Sequence, residues 1–220
     1  MLKRGVDIAI AGAMLIVCFP VLVLCALMVK LDSRGPVLFR QVRMGRDFRP
    51  FKLLKLRTMR GGEAGSAITV GFDPRITRMG KRLRRWKLDE LPQLWNVLRG
   101  EMSLVGPRPV IPELTREFEA EYRHLLQVRP GLTDPATVRY CHEAKMLSQV
   151  AHPLDYFKTV VTPDKLRLSR LYLRRATVAR DFGVIAKTVQ ALLSPVRPVA
   201  SAPGRETLPR PVSPVSMSQD

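Results

Sequence analysis

Within Trp86–Gly106, WKLDELPQLWNVLRGEMSLVG, two adjacent carboxylates, Asp89 and Glu90, follow a run of cations: Lys81, Arg82, Arg84, Arg85 and Lys87. Adjacent acids can hold a hard divalent cation such as Mg²⁺, which commonly sits beside substrate phosphates. Nearby arginines can neutralise charge on a phosphoryl group in transfer. A helix N-terminus at this point would favour both a phosphate and the ionised form of a carboxylate, through its free N–H groups and the positive end of its dipole. The chemistry these residue types support is phosphoryl transfer. On spacing alone the commoner meaning of an acid pair at a helix start is a cap.

The elements that must position this pair can be read from pattern. Thr77 can cap a helix running through Trp86, and Asp89 another running through Arg99, with Pro92 in its first turn, where the missing N–H costs little. Upstream, Val37–Gln41 and Phe51–Met59 alternate as strands do, the second with Lys52, Lys55 and Arg57 interleaved. Residues 110–128 predict an amphipathic helix, and Thr162-Pro163-Asp164 opens a helical region to about Leu193. Gly61–Gly71 is small and polar, a loop. From Pro195 onward, 6 prolines in 26 residues and few large apolar groups predict a disordered tail.

Residues 8–29, IAIAGAMLIVCFPVLVLCALMV, carry no charge over 22 positions, enough for a helix to cross a hydrocarbon layer that needs about 20 residues. The segment runs into Lys30-Leu31-Asp32 rather than the small residues of a signal-peptide cleavage site. Pro20 removes a backbone hydrogen bond in its middle. Both flanks are basic: Lys3 and Arg4 before it, then Lys30, Arg34, Arg40 and Arg43 after it. The positive-inside rule would keep both flanks on the cytoplasmic side. A helix that enters, bends at Pro20 and returns satisfies both facts; a kinked single span is the alternative.

Lys and Arg number 37 against 19 Asp and Glu, a net charge of +18, which points to an anionic partner: nucleic acid, an acidic membrane face or a phosphorylated substrate. Residues 33–109 hold 18 basic and 6 acidic residues, so most of the excess lies around the acid pair. That region has no nucleic-acid motif and few aromatics for base stacking, which argues against nucleic acid and leaves a lipid-anchored basic module as the rival to an enzyme. Cys18, Cys25 and Cys141 form no C-x-x-C pair, and His124, His142 and His152 are scattered, so neither a disulfide framework nor a zinc site is expected.

The run Leu88–Pro109, LDELPQLWNVLRGEMSLVGPRP, resembles the signature of the bacterial sugar transferase family, the monotopic phosphoglycosyl transferases. Further blocks agree in order: Lys3-Arg4 with Asp7, Gly35-Pro36-Val37, Arg40-Gln41, Arg43 with Gly45-Arg46, Phe51-Lys52, and Lys55 with Arg57 and Met59. Asp73 with Arg75-Ile76-Thr77, and Arg129-Pro130-Gly131 with Thr133, complete the match over about residues 1–190.

The resemblance implies an α+β fold: a re-entrant membrane helix kinked at Pro20 (residues 1–32), a mainly helical cytoplasmic catalytic domain with a small β-element at the membrane surface (33–194), then the Pro-rich tail (195–220). It implies a minimal form of the enzyme, without the multi-span N-terminal domain of larger relatives. Asp89 would be the nucleophile that takes a phosphosugar from a UDP-sugar and expels UMP, polyprenyl phosphate then receiving it, with Glu90 aiding metal or proton handling. Arg84 and Arg108 would face substrate phosphates, with Lys55 and Arg57 as further substrate-binding candidates that could equally be a solvated or headgroup-facing strand. Mg²⁺ at Asp89, membrane lipid as a partner, a homodimer, no nucleic acid and a place on the cytoplasmic face of the bacterial inner membrane complete the expectations. The product would start exopolysaccharide, lipopolysaccharide or another glycoconjugate. The chain departs from the family pattern at Phe19, Leu56, Thr58, Lys87 and Asp134; none of these is Asp89 or Glu90, and Asp134 lies where sugar or lipid choice could be shaped.

Overall fold

A computed structural model of the chain describes residues 2–60 and 73–194. The loop expected at Gly61–Gly71 and the tail expected from Pro195 lie outside the described residues. Among the described residues the arrangement is α+β: a long N-terminal helix, a β-hairpin, a short parallel strand pair and a series of mostly short helices.

Helix α1 runs from Leu2 to Asp32 without interruption through Pro20. Its burial is confined to two places: Asp7 and Ala11 near one end, Cys25 and Val29 near the other. Each pair is spaced i, i+4, one face of a helix. Between them Met14, Ile16, Val17, Phe19, Val21, Val23 and Leu24 are exposed, an apolar surface left uncovered by the described residues. α1 is long and apolar enough to cross a membrane.

Both ends of α1 dock onto the rest of the chain. Near the start, Arg4 donates to the carbonyls of Val97 (2.6 Å) and Leu98 (2.9 Å), while the Asp7 carboxylate accepts from Ser103 Oγ (2.8 Å) and Leu104 N (3.2 Å). Lys3 pairs with Asp181. Near the other end, Asp32 Oδ2 accepts from Met79 N (3.0 Å), and Arg57 donates to Ser33 O (2.6 Å), Ser33 Oγ (3.0 Å) and Val29 O (3.4 Å). The Lys3 and Arg4 that sequence reads as a cytoplasmic flank are thus also internal staples.

Strands β1 (Leu38–Met44) and β2 (Pro50–Leu56) pair antiparallel, Leu38 opposite Leu56 and Arg43 opposite Phe51. Helix α2 (Arg78–Arg85) starts as the sequence suggests, Thr77 Oγ1 accepting from Gly80 N at 2.9 Å. A 3₁₀ turn, Leu88–Glu90, leads into α3 (Gln93–Arg99), which the αL residue Gly100 terminates. β3 (Ser103–Val105) and β4 (Gly131–Thr133) form a parallel pair that sequence pattern does not reveal. The single helix expected over 110–128 is two, α4 (Pro112–Glu117) and α5 (Glu119–Leu125). Phe118 between them leaves helical geometry (φ −123°, ψ 44°) and packs against the cluster of Tyr122, Leu125, Leu126 and Leu166.

Four short helices or turns follow: α6 (Pro135–Arg139), α7 (Glu143–Leu147), α8 (Pro153–Tyr156) and a π turn at Phe157–Val161. The helical region from Thr162 is likewise divided, into α9 (Thr162–Leu173) and α10 (Val178–Leu193). The main core joins Ala11 of α1 to Leu53, Leu94, Val97, Met102, Leu104, Val105, Tyr172 and Val184. Burial of each Leu, Val or Met in it stabilises the fold by about 1.5–3 kcal/mol, and Ala11, with Ile10 and Leu15 packed against the same cluster, makes α1 part of the domain's own core.

The β3–β4 pair needs two glycines. A Cβ on Gly131 would come within 2.1 Å of Gly106 N and 2.3 Å of Gly106 O, both backbone atoms that cannot step aside. Gly131→Ala is therefore expected to cost about 3 kcal/mol through overpacking, and to move the Pro107–Leu132 region that holds Arg108. A thermal melt checks the first effect; an unchanged melting temperature would show the strand pair to be looser than these contacts imply.

Candidate active site

The 3₁₀ turn Leu88–Glu90 is entered through Lys87 in the left-handed region (φ 56°, ψ 19°), an unusual conformation for a residue with a Cβ. Asp89 therefore caps nothing, in contrast to the expectation that it begins α3. Pro92, just ahead of α3, has no N–H to satisfy. The Asp89 side chain is buried, and its Oδ1 has no hydrogen-bond partner among the described residues. An unbonded buried carboxylate oxygen is costly, and such a cost commonly marks a functional group.

Glu90 is in the opposite condition. Arg108 donates to both its oxygens (3.0 and 3.2 Å), Lys55 Nζ stands 3.4 Å from Oε1, and Lys87 Nζ 4.0 Å from the same oxygen. Arg108 is itself held by the carbonyl of Leu132. Arg84 donates through Nε to Thr58 Oγ1 at 2.8 Å. Arg43 bonds Gln41 Oε1 at 2.7 Å through one terminal nitrogen and reaches Pro109 O at 3.4 Å with the other.

These positions push the two acids apart. Burial raises the Asp89 carboxyl above the ordinary range, and the charge of Glu90 adds to that; Lys55, Lys87 and Arg84 oppose it. Burial would raise Glu90 as well, but Arg108, Lys55 and Lys87 outweigh it and hold Glu90 well below the carboxylate range. Burial likewise pulls down Lys55, against the attraction of Glu90 and with repulsion from Arg108. Arg43 falls to about 10 through burial and the repulsion of Arg108, with Glu90 opposing. Cations around the pair outnumber the two carboxylates, which leaves capacity for an incoming anion.

Of the residues singled out from sequence, the structure brings together Asp89, Glu90, Lys55, Arg84 and Arg108. Arg57 sits elsewhere: its side chain is buried against the carboxyl end of α1, in a socket that requires Gly35 (φ +120°), where a Cβ would lie 2.3 Å from the guanidinium. Sequence reading did not single out Arg43 or Thr58 for the site, and named Lys87 only within the run of cations before the acid pair. Gln93 lies one helical turn beyond Asp89, fully buried, with neither amide atom bonded among the described residues. The signal for Arg43 was present, in the block it forms with Gly45-Arg46. Nothing in the local pattern marks Gln93.

A family model described as bacterial sugar transferase matches residues 1–195. A UDP-glucose:undecaprenyl-phosphate glucose-1-phosphate transferase of Caulobacter vibrioides is 39% identical over 87% of this chain and 70% of its own length. A protein of the same name from Escherichia coli is 46% identical over 72% of this chain, which spans only 36% of that relative. The exopolysaccharide production protein PSS of Rhizobium leguminosarum is 46% identical over 70% of this chain and 84% of its own length.

Proposed function

The chain belongs to the bacterial sugar transferase family, and from that premise we propose that it transfers a sugar-1-phosphate from a UDP-sugar to undecaprenyl phosphate through a covalent intermediate on Asp89. The observation that carries this reading is the division of labour in the acid pair: Glu90 is bound by Arg108 and Lys55, whereas Asp89, beside Arg84, Lys55 and Lys87, has a buried oxygen with no partner among the described residues.

In the first half-reaction an Asp89 oxygen attacks the sugar-bearing phosphorus of the donor. The bond from that phosphorus to the bridging oxygen breaks, and UMP leaves with the electron pair. In the second, a phosphate oxygen of the lipid acceptor attacks the same phosphorus and the Asp89 carboxylate departs, giving polyprenyl diphosphate sugar. Arg84 and Arg108 stand where they can offset charge on the phosphoryl oxygens. Glu90, kept ionised, fixes Arg108 and Lys55 in position.

The residues present fit Mg²⁺ brought in with the donor's diphosphate. Asp89 Oδ1 is the unengaged buried carboxylate oxygen, and no group of three or more His, Cys, Asp or Glu gathers among the described residues. Most of the coordination would come from phosphate and water, a common arrangement for this ion. When bound, Mg²⁺ would supply charge neutralisation at the diphosphate.

The reading places the site at a membrane. Contacts from both ends of α1 to one domain, with the exposed apolar stretch 14–24 between them, support a continuous helix that bends at Pro20 and stays within one leaflet. A helix crossing to the far side would carry Arg4 and Asp7, or Asp32, away from their partners. With the hairpin at the headgroups and the domain on the cytoplasmic face of the inner membrane, a membrane-impermeant thiol reagent applied from outside is expected to label neither Leu2→Cys nor Ser33→Cys; labelling of one would indicate a span.

The function itself is tested by a screen of UDP-sugars with undecaprenyl phosphate and Mg²⁺. One or a few donors should release UMP and label the lipid, and release of UDP instead of UMP would point to direct glycosyl transfer.

A further inference from the structure

At the other end of the hairpin from Lys55, a cleft of about 350 Å³ opens between the β1–β2 turn and the end of α3. Arg46, Arg49, Arg129 and Phe51 line it, with Gly100 and Glu101 on the α3 side. Phe51 and Lys55 are about 13 Å apart along β2 at the rise of a strand, so the cleft is separate from the acid pair.

Its cations are under-used. The Arg49 guanidinium has no partner among the described residues, and Arg129 has one, Nε to Gly100 O at 2.7 Å, leaving its two terminal nitrogens unbonded. Arg46 pairs with its neighbour Asp47 at 3.0 Å, both half exposed, an interaction of small worth. Arg4 lies behind this lining, its terminal nitrogens on the carbonyls of Val97 and Leu98, and comes 3.3 Å from a Cβ built on Gly100, so it adds charge but no free donor. Of the two acids present, Glu101 is engaged by Asn96 (2.6 Å) and faces Arg99 (3.8 Å). Burial and the repulsion of Arg4 and Arg46 pull the Arg129 guanidinium down, with only Asp7 opposing.

The wall that carries Arg46 and Arg49 is built at a cost. Asp47 and Phe48 both take positive φ (56° and 57°), conformations that cost on the order of 1–3 kcal/mol each and persist only where surroundings enforce them. The enforcement is visible: Asp47 N donates to Leu126 O at 2.7 Å, Gly45 N to Arg49 O at 2.9 Å, and Phe48 packs with Tyr122 and Leu126. Three arginines, Arg46, Arg49 and Arg129, thus line a space large enough for a phosphate group.

We propose that this cleft is a second anion site, which binds the phosphate of a lipid headgroup or a soluble phosphate through Arg49 and Arg129, with Arg46 and Arg4 adding charge. Guanidinium forks suit phosphate oxygens, and the free terminal nitrogens of Arg129 and Arg49 supply the donors. Arg4 belongs to the start of the apolar helix α1, so a headgroup has a short path to the cleft.

The test uses the full chain in phosphatidylcholine nanodiscs, in two arms. In one, a minor fraction of phosphatidylglycerol is added and the amount retained per chain is read by mass spectrometry. In the other, inorganic phosphate is titrated calorimetrically into discs without phosphatidylglycerol. Wild type should bind in at least one arm, retention of phosphatidylglycerol marking a headgroup site and binding of inorganic phosphate a soluble-anion site. Arg49→Glu and the double variant Arg49→Gln/Arg129→Gln should weaken that binding by about tenfold or more, as expected for lost charge-assisted hydrogen bonds. Arg170→Gln, exposed on α9, should leave it unchanged. Arg49→Glu leaves the Arg129–Gly100 bond intact, so it decides the matter should the double variant fail to fold. Equal binding by wild type and Arg49→Glu, or equal loss in Arg170→Gln, overturns the proposal.

Discussion

Asp89→Asn should reduce UMP release by at least about a thousandfold while leaving the protein as stable as wild type or more so. The activity term follows because an amide of the same shape supplies no anionic oxygen to attack phosphorus. The stability term follows from burial. Asp89 has its pKa raised in the folded chain, so its contribution to stability is greatest below the unfolded value near 3.8 and is lost as pH rises through the folded value. Once ionised, the buried Asp89 with no partner for Oδ1 among the described residues is a burden that asparagine relieves, the usual signature of a functional carboxylate. Incubation with a donor radiolabelled in the sugar should leave label on wild-type protein and none on the variant. The rate in wild type should fall on acidification through a limb above the ordinary aspartate range, since attack needs the ionised form. Robust turnover by Asp89→Asn would reject the covalent assignment, and a large drop in its melting temperature would make Asp89 structural.

Glu90→Gln should behave in the opposite way, losing stability as well as activity. It removes the counter-charge that faces Arg108 at 3.0 Å and Lys55 at 3.4 Å, and leaves two largely buried cations repelling one another. Breaking one side of such a network typically costs about 3 kcal/mol. Glu90 has its pKa depressed, so its contribution is present above the unfolded value near 4.5 and lost as pH falls toward the folded value. The gap in stability between wild type and Glu90→Gln should therefore be full at neutral pH and narrow on acidification below about 4.5. Activity should fall too, because Arg108 loses the partner that aims it, and Glu90→Asp should restore part of both. A melting temperature for Glu90→Gln equal to that of wild type at pH 7 would show that Arg108 is held by Leu132 alone.

The two variants separate roles that adjacent positions in a chain conceal. Asp89 and Glu90 are chemically alike and lie in the same sequence signature, yet one is unsatisfied among the described residues and available while the other is satisfied and positional. Successive residues in a 3₁₀ turn project about 120° apart, so neighbours face different surroundings. Which surroundings they meet depends on β2, which delivers Lys55, and on the Gly106–Gly131 approach, which delivers Arg108.

Much of the protein was legible in its residues alone. The 22 uncharged positions of 8–29 dictate a lipid-length helix, alternation marks both strands of the hairpin, and Thr77 opens α2 as its hydroxyl chemistry suggests. Each depends on local periodicity or on a side chain bonding its own backbone, and such interactions are written in consecutive residues. The acid pair and its cationic setting were visible for the same reason. Tertiary structure alone decided the partners: that Arg57 closes the end of α1 instead of joining the acids, that Arg43 joins them, that Lys3, Arg4 and Asp7 staple the apolar helix to α3, β3 and α10, and that Phe118 breaks an expected helix to fill a core. All of these are contacts across long stretches of chain, where burial and charge pairing outweigh local preference.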